Sequence, residues 1–110
     1  MSYEHVVWEV EAGVGRITLN RPDSLNAWNE DFGRELNQLL ASDAASPEVR
    51  SVLITGAGRA FSSGADLKAG FHPHPDDGMP DIRKELGELY HPIIVAVRTL
   101  EKPVVAAVNG

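Results

Sequence analysis

The chain has 110 residues, enough for one ordinary domain whose folding buries roughly 60–70% of its unfolded surface. Sixteen acidic against ten basic side chains give a net charge of -6, and no Lys/Arg cluster is present, which excludes a binder that tracks nucleic-acid phosphates. Cysteine is absent, so disulfides, thiol catalysis and thiolate metal sites are excluded together, and a reducing compartment fits.

Residues 5–11 alternate as a strand does, with Val6, Trp8 and Val10 on one face. Gly13-Val14-Gly15 is the expected turn, and Arg16-Ile17-Thr18-Leu19 the returning strand of a hairpin. Asn20-Arg21-Pro22-Asp23 breaks that strand. Asn29 suits a helix N-cap, with Glu30 and Asp31 at the positive end of the helix dipole. Phe32, Leu36, Leu39 and Leu40 then recur at helical spacing, which predicts a helix to about Ala44, stopped by Ser46-Pro47. Ser51 to Thr55 is apolar and too short for a helix, and reads as a buried strand.

Next comes the run Gly56-Ala57-Gly58-Arg59-Ala60-Phe61-Ser62-Ser63-Gly64-Ala65-Asp66-Leu67-Lys68, a loop of small residues with a helical turn expected near Asp66. Phe71 to Pro80 reads as a surface excursion. From Asp81 a second helix is expected, with Ile82, Leu86, Leu89, Ile93, Val97 and Leu100 on one stripe. Pro92 should kink or split it near His91. Lys102-Pro103 ends the segment, and Val104 to Val108 reads as another buried strand. Alternating strands and helices predict an α/β fold with crossover connections.

A strand emptying into a glycine loop can aim backbone amides at a negatively charged oxygen. A dinucleotide-binding Rossmann turn is one candidate, but Phe61 stands where a third glycine would be and no long helix follows at once. A phosphate-binding P-loop lacks its Gly-Lys-Ser/Thr. His72-Pro73-His74-Pro75-Asp76-Asp77 has metal-ligand residue types, but its prolines favour a loop. Ser62 and Ser63 have no evident base beside them, which argues against a serine nucleophile. Trp8 and Trp28 read as core or subunit-contact residues.

Five segments taken in order narrow the choice: Ile17-Thr18-Leu19-Asn20-Arg21-Pro22, Leu25-Asn26-Ala27, Val52-Leu53-Ile54-Thr55-Gly56, Phe61-Ser62-Ser63-Gly64-Ala65-Asp66-Leu67, and Lys102-Pro103-Val104-Val105-Ala106-Ala107-Val108-Asn109-Gly110. Together they resemble the enoyl-CoA hydratase/isomerase (crotonase) family over nearly the whole chain. The resemblance implies a spiral of ββα units, with residues 1–110 as the N-terminal part of a single crotonase-like domain cut short at its C-terminus. It also implies an acyl-CoA enzyme, most simply an enoyl-CoA hydratase or isomerase, that holds a thioester enolate between two backbone N–H groups.

In that family the first of these donors is at the position of Ala65, with Gly64 allowing a sharp turn and Asp66 suited to capping the next turn. Asp23, Ser24, Leu25, Ser63, Ala65, Asp66, Leu67 and Lys68 would line the acyl-CoA. Lys68 could meet a CoA phosphate, and His72 or His74 could shape acyl specificity. The second donor and the acid–base carboxylates are expected beyond Gly110. CoA arrives with the substrate, so no metal or redox cofactor is expected. Homotrimers or homohexamers are the implied assembly. A CoA-binding or assembly module without chemistry and an NAD(P)-binding domain remain as alternatives. Met1-Ser2-Tyr3-Glu4-His5 carries no basic stretch ahead of an apolar run, and no apolar run approaches the roughly 18–20 residues of a membrane span, so a cytoplasmic protein without a membrane partner is expected.

Overall fold

A computed structural model describes residues 3–66, 76, 78 and 82–110. Strands β1 (Val6–Glu11), β2 (Val14–Leu19), β3 (Ser51–Gly56) and β4 (Val104–Ala107) form one sheet in the order β1-β2-β3-β4. The first pair is antiparallel, and β2–β3 and β3–β4 are parallel. Parallel neighbours need crossovers. Helix α1 (Glu30–Ala41) makes the first, and the second contains α2 (Ile82–Glu85), a π turn (Leu86–Tyr90) and α3 (His91–Thr99). Among the described residues no helix is long and apolar enough to cross a membrane.

The hairpin turn is one residue tighter than its glycines suggest. Glu11 pairs with Val14, leaving Ala12 (φ 52°) and Gly13 (φ 82°) as a two-residue loop with both φ positive, and β2 starts at Val14 rather than Arg16. Such loops match the right-handed twist of the strands they join. Gly15 lies inside the strand, where the Trp8 ring fills the place of its missing side chain: a Cβ there would be 2.2 Å from the Trp8 ring.

One face of the sheet carries the core. Val6, Ile17, Leu19 and Val52 pack there against Phe32, Leu36, Leu39 and Leu40 of α1 and Ile93 of α3. Asn29 caps α1 as expected, its side chain accepting the Phe32 amide at 2.9 Å. The helix ends at Ala41 rather than near Ala44, because the Ala44 amide reaches back five residues to Leu39. Lys102 Nζ, from the connection before β4, donates to the Ala44 and Ser46 carbonyls at 2.8 and 2.7 Å and so ties that connection to the loop after α1. Pro92 splits the second helical segment as expected. It lacks an N–H and sits in the first turn of α3, and the chain passes from π to α geometry just ahead of it. Leu89 and Ile93 are buried along the predicted stripe, with Val97 and Leu100 partly so.

Val6, Trp8 and Val10 share one face of β1 as expected, with burial along it fading from Val6 to the exposed Val10. One expectation changes. Strand β4 forms and pairs with β3, but it is not buried as expected: only Val104 packs against the core, while Val105 on the other face is 57% exposed and Val108, past the end of the strand, is 71% exposed. The Rossmann-type NAD(P)-binding alternative also falls. A doubly wound sheet reverses its strand order and carries helices on both faces, whereas this sheet is sequential, opens with an antiparallel pair and packs α1 and α3 on one face. The excursion at 71–80 lies outside the described residues except for Asp76 and Gly78, as do Asp81 and the side chains of Ile82 and Leu86.

Tyr3 ties the start of the chain to the end of α1, donating from its hydroxyl to Asp43 at 2.6 Å. Burial, and then that hydrogen bond, push the Tyr3 phenol from 10.0 up to about 12. A folded-state value above the unfolded one favours the protonated form in the folded chain. The stabilisation is therefore complete below about pH 10 and is lost as pH rises toward about 12. Denaturant midpoints measured on either side of pH 10 should fall more steeply for the native chain than for Tyr3→Phe.

Candidate functional site

Beyond β2 the chain makes a single 3-10 turn, Pro22–Ser24, closed by Leu25 in the left-handed region (φ 52°). Asn26 follows at φ 55°. Two left-handed residues in a row reverse the chain and send residues 25–28 alongside residues 62–66. Ser63 N donates to Leu25 O at 2.9 Å, Trp28 N to Gly64 O at 2.8 Å, and Asp66 N to Trp28 O at 2.8 Å. Ser63 Oγ faces Ser24 O at 3.4 Å, a long contact. Asp23-Ser24-Leu25 and the described part, Ser63 to Asp66, of the segment Ser63 to Lys68 are thus brought together. Asp23 and Ser24 are exposed on the turn, and Leu25 is half-buried. Leu67 and Lys68 lie outside the described residues, as do His72 and His74.

Ala65 has a distinct place in this ladder. Trp28 and Ala65 form a parallel bridge, and both of its hydrogen bonds run through Trp28 to the residues flanking Ala65. In a parallel ladder the residue opposite the bonded one turns its own N–H and C=O the other way. The Ala65 amide therefore faces away from Trp28, it has no acceptor among the described residues, and the residue is exposed. Trp28 itself is anchored in the core: its ring lies 4.8 Å from that of Phe32 and 6.0 Å from that of Tyr90. Those two ring contacts supply the packing partners that the sequence left unidentified.

Glycines and asparagines set the loop between β3 and Ser62. Gly56 closes β3 so near the returning loop that a Cβ would lie 2.3 Å from Ala60 O. Gly110 approaches from the β4 side, where a Cβ would lie 2.1 Å from Arg59 O. Phe61 packs against the core and pins the loop from below, in place of the third glycine of a nucleotide turn. Asn26, fully buried, hydrogen-bonds the loop from one side, and Asn109 does so from the other.

Arg21 sits behind Asp66. Its Nη2 is 3.2 Å from Asp66 Oδ2, with the two side chains only 17% and 14% exposed, and its Nη1 donates to Ala27 O. A pair so sheltered adds little net stability, because desolvating the two charges offsets their attraction. The hydroxyl of Ser62 donates to Asn26 O at 2.9 Å and accepts the Gly64 amide at 3.1 Å, so it serves the loop's own backbone. Among the described residues no three metal-ligating side chains come together. Chemically the site is a backbone amide aimed outward from a rigid junction, with no reactive side chain beside it among the described residues.

Arg21, Asn26 and Asn109 belong to the motif segments in the sequence, but their bonding roles emerge only in the fold. The available signal was residue type: an asparagine between Leu25 and Ala27 that must be buried has to hydrogen-bond.

Comparison with known proteins identifies the family and the fold. Residues 9–110 match the family model of the enoyl-CoA hydratase/isomerases. A 1,2-epoxyphenylacetyl-CoA isomerase of Escherichia coli is 36% identical over 107 residues, 97% of this chain and 40% of the relative. A short-chain-enoyl-CoA hydratase of Clostridium acetobutylicum is 35% identical over 111 residues, 100% of this chain and 41% of the relative. The crystal structure of an enoyl-CoA hydratase/isomerase from Xanthobacter autotrophicus Py2 superposes with a TM-score of 0.81 at 36% identity, covering 99% of this chain and 40% of that one. The chain thus spans about 40% of the length of the curated relatives it matches. Its sequential sheet with helical crossovers is the α/β, crotonase-like architecture of those neighbours. On family model, sequence identity and fold together, the chain belongs to the enoyl-CoA hydratase/isomerase family.

Proposed function

We propose that these residues form the N-terminal part of a larger crotonase-like domain that binds an acyl-CoA thioester. In this reading the Ala65 N–H is one donor to the thioester oxygen as it gains enolate charge. The observation that supports it is the Ala65 amide itself, turned out of the Trp28 bridge and without an acceptor among the described residues. Such a donor works because it is fixed before charge develops, so no reorganisation is needed at the moment of reaction. Ser63, Asp66 and the 23–25 turn lie beside this amide and are contacts assigned to the acyl-CoA; Leu67 and Lys68 are assigned to it from the family resemblance alone.

Reaction type is a further step. At nearly equal identity, one relative is named an isomerase and another a hydratase, so this stretch serves more than one reaction. The choice rests on acid–base groups, and none accompanies the Ala65 amide among the described residues. Hydration or double-bond isomerisation of an enoyl-CoA is the activity we assign, with CoA brought by the substrate and a trimeric assembly. The test is calorimetric titration of the full-length protein with crotonyl-CoA, together with loss of enoyl absorbance. Binding with turnover is expected. Binding without turnover of any acyl-CoA would make the protein a CoA-binding module instead, and no binding at all would overturn the reading.

A further inference from the structure

We propose that Asn26 and Asn109 are positioning residues: two side-chain amides that grip the 56–60 loop from opposite sides and thereby set where the Ala65 amide points. The inference rests on the acyl-CoA reading for its catalytic consequence, but the grip stands on geometry alone. Asn26 is fully buried. Its Oδ1 accepts the Arg21 amide at 2.7 Å, and its Nδ2 donates to Ala57 O at 3.0 Å and Ala60 O at 2.8 Å. Asn109 faces it across the loop. Its Oδ1 accepts Gly56 N at 3.1 Å and Thr55 Oγ1 at 3.3 Å, and its Nδ2 donates to Gly56 O at 2.9 Å and Gly58 O at 3.2 Å.

Four carbonyls of this loop, those of Gly56, Ala57, Gly58 and Ala60, therefore end on two NH2 groups, each with both of its hydrogens used. Both positions need a donor and an acceptor on one short side chain. Aspartate would set an anionic oxygen against carbonyl oxygens, and leucine would leave them unpaired. The orientation of each amide is also fixed, because flipping it would bring NH2 against the Arg21 or Gly56 N–H. Asn109 mimics a peptide unit at Gly56: it pairs with both the N–H and the C=O of that residue, continuing the β3–β4 ladder one step past Thr55–Ala107. Chain separation matters here. Asn26 follows β2 and Asn109 follows β4, so the loop is held from two places that come together only in the folded sheet. From that loop the chain runs through Phe61 directly into the Ser63–Asp66 ladder.

The experiment compares Asn109→Asp and Asn109→Ala with Asn37→Ala in the full-length protein. Asn37 is a useful reference because its Nδ2 donates to a single carbonyl, Leu89 O at 3.0 Å, far from the loop. Amide hydrogen exchange is read at Gly56, Ala57, Ser63, Gly64 and Asp66, each a donor in the loop or its ladder. Steady-state kinetics with crotonyl-CoA is measured beside it.

Both Asn109 variants should accelerate exchange at these amides at least tenfold while β1 and β2 amides keep their protection. They should lower kcat by about 10–100-fold with little change in KM, since misplacing a reacting group costs rate more than binding. Asn37→Ala should alter neither. Unchanged loop exchange in the Asn109 variants would overturn the proposal, and so would exchange accelerated equally throughout the sheet. Should the unaltered protein not turn over acyl-CoA, the acyl-CoA reading fails while the exchange data still decide the grip.

Discussion

Replacing the Ala65 amide by an ester is expected to lower kcat/KM for an enoyl-CoA by about 10²–10³-fold, the usual cost of one lost oxyanion donor. The substitution changes one N–H to an oxygen and leaves every side chain in place. It can be made by semisynthesis in the full-length protein. The Trp28 bridge predicts how the neighbouring positions behave. An ester at Asp66 removes the donor to Trp28 O, a structural bond, and should cost about 1 kcal/mol of stability with a much smaller loss of rate. Ala65→Ser keeps the amide, and because residue 65 is exposed it should change rate by less than about threefold. An ester at Ala65 that left kcat/KM unchanged would remove this amide from the mechanism while leaving the family assignment intact.

Most of the framework was legible because its signals are local. Asn29 followed by Glu30, Asp31 and a 3.6-residue apolar stripe specifies α1 almost by itself, and Pro92 marks the break before α3 wherever the segment packs. What the sequence misplaced depends on neighbours. Ala12 adopts φ 52° although alanine gives no hint of it; the pairing of Glu11 with Val14 imposes it. Residue types make β4 look buried, but burial belongs to whatever covers a strand, and Val105 and Val108 are uncovered.

The site divides in the same way. Resemblance picks out residues 23–25 and 63–68 as two stretches, whereas the adjacency of 23–25 with 63–66 comes from two consecutive left-handed residues, of which Asn26 is a type that favours that region and Leu25 is not. Likewise the ion pair between Arg21 and Asp66 spans 45 positions, so nothing local announces it. Backbone chemistry is hard to read in sequence for a plain reason: an amide donor has no letter of its own.

Gly56→Ala is expected to be heavily damaging for a single added methyl group. Its Cβ would stand 2.3 Å from Ala60 O, 2.6 Å from Phe61 Cα and 2.7 Å from Phe61 O. All three are backbone atoms, so no side chain can swing aside. The loop would have to lift, stretching the bonds that Asn109 makes to Gly56 N and O and that Asn26 makes to Ala60 O. A loss of about 2–4 kcal/mol in unfolding free energy follows from that overpacking and the unpaired groups it leaves. Activity should fall by about a hundredfold or more even where the protein stays folded, because the Ala65 amide moves with the loop.

Gly15→Ala provides the contrast. Its Cβ clashes as closely, at 2.2 Å, but with the rim of the half-buried Trp8 ring, which can rotate away. That variant should lose stability by about 1–2 kcal/mol and keep its turnover well below its melting temperature. Thermal melts and steady-state rates measured on the pair separate the two effects. If both glycine variants lost stability alike and both kept full activity, the closeness of the loop to Gly56 would be a packing detail rather than the means by which the sheet aims the amide.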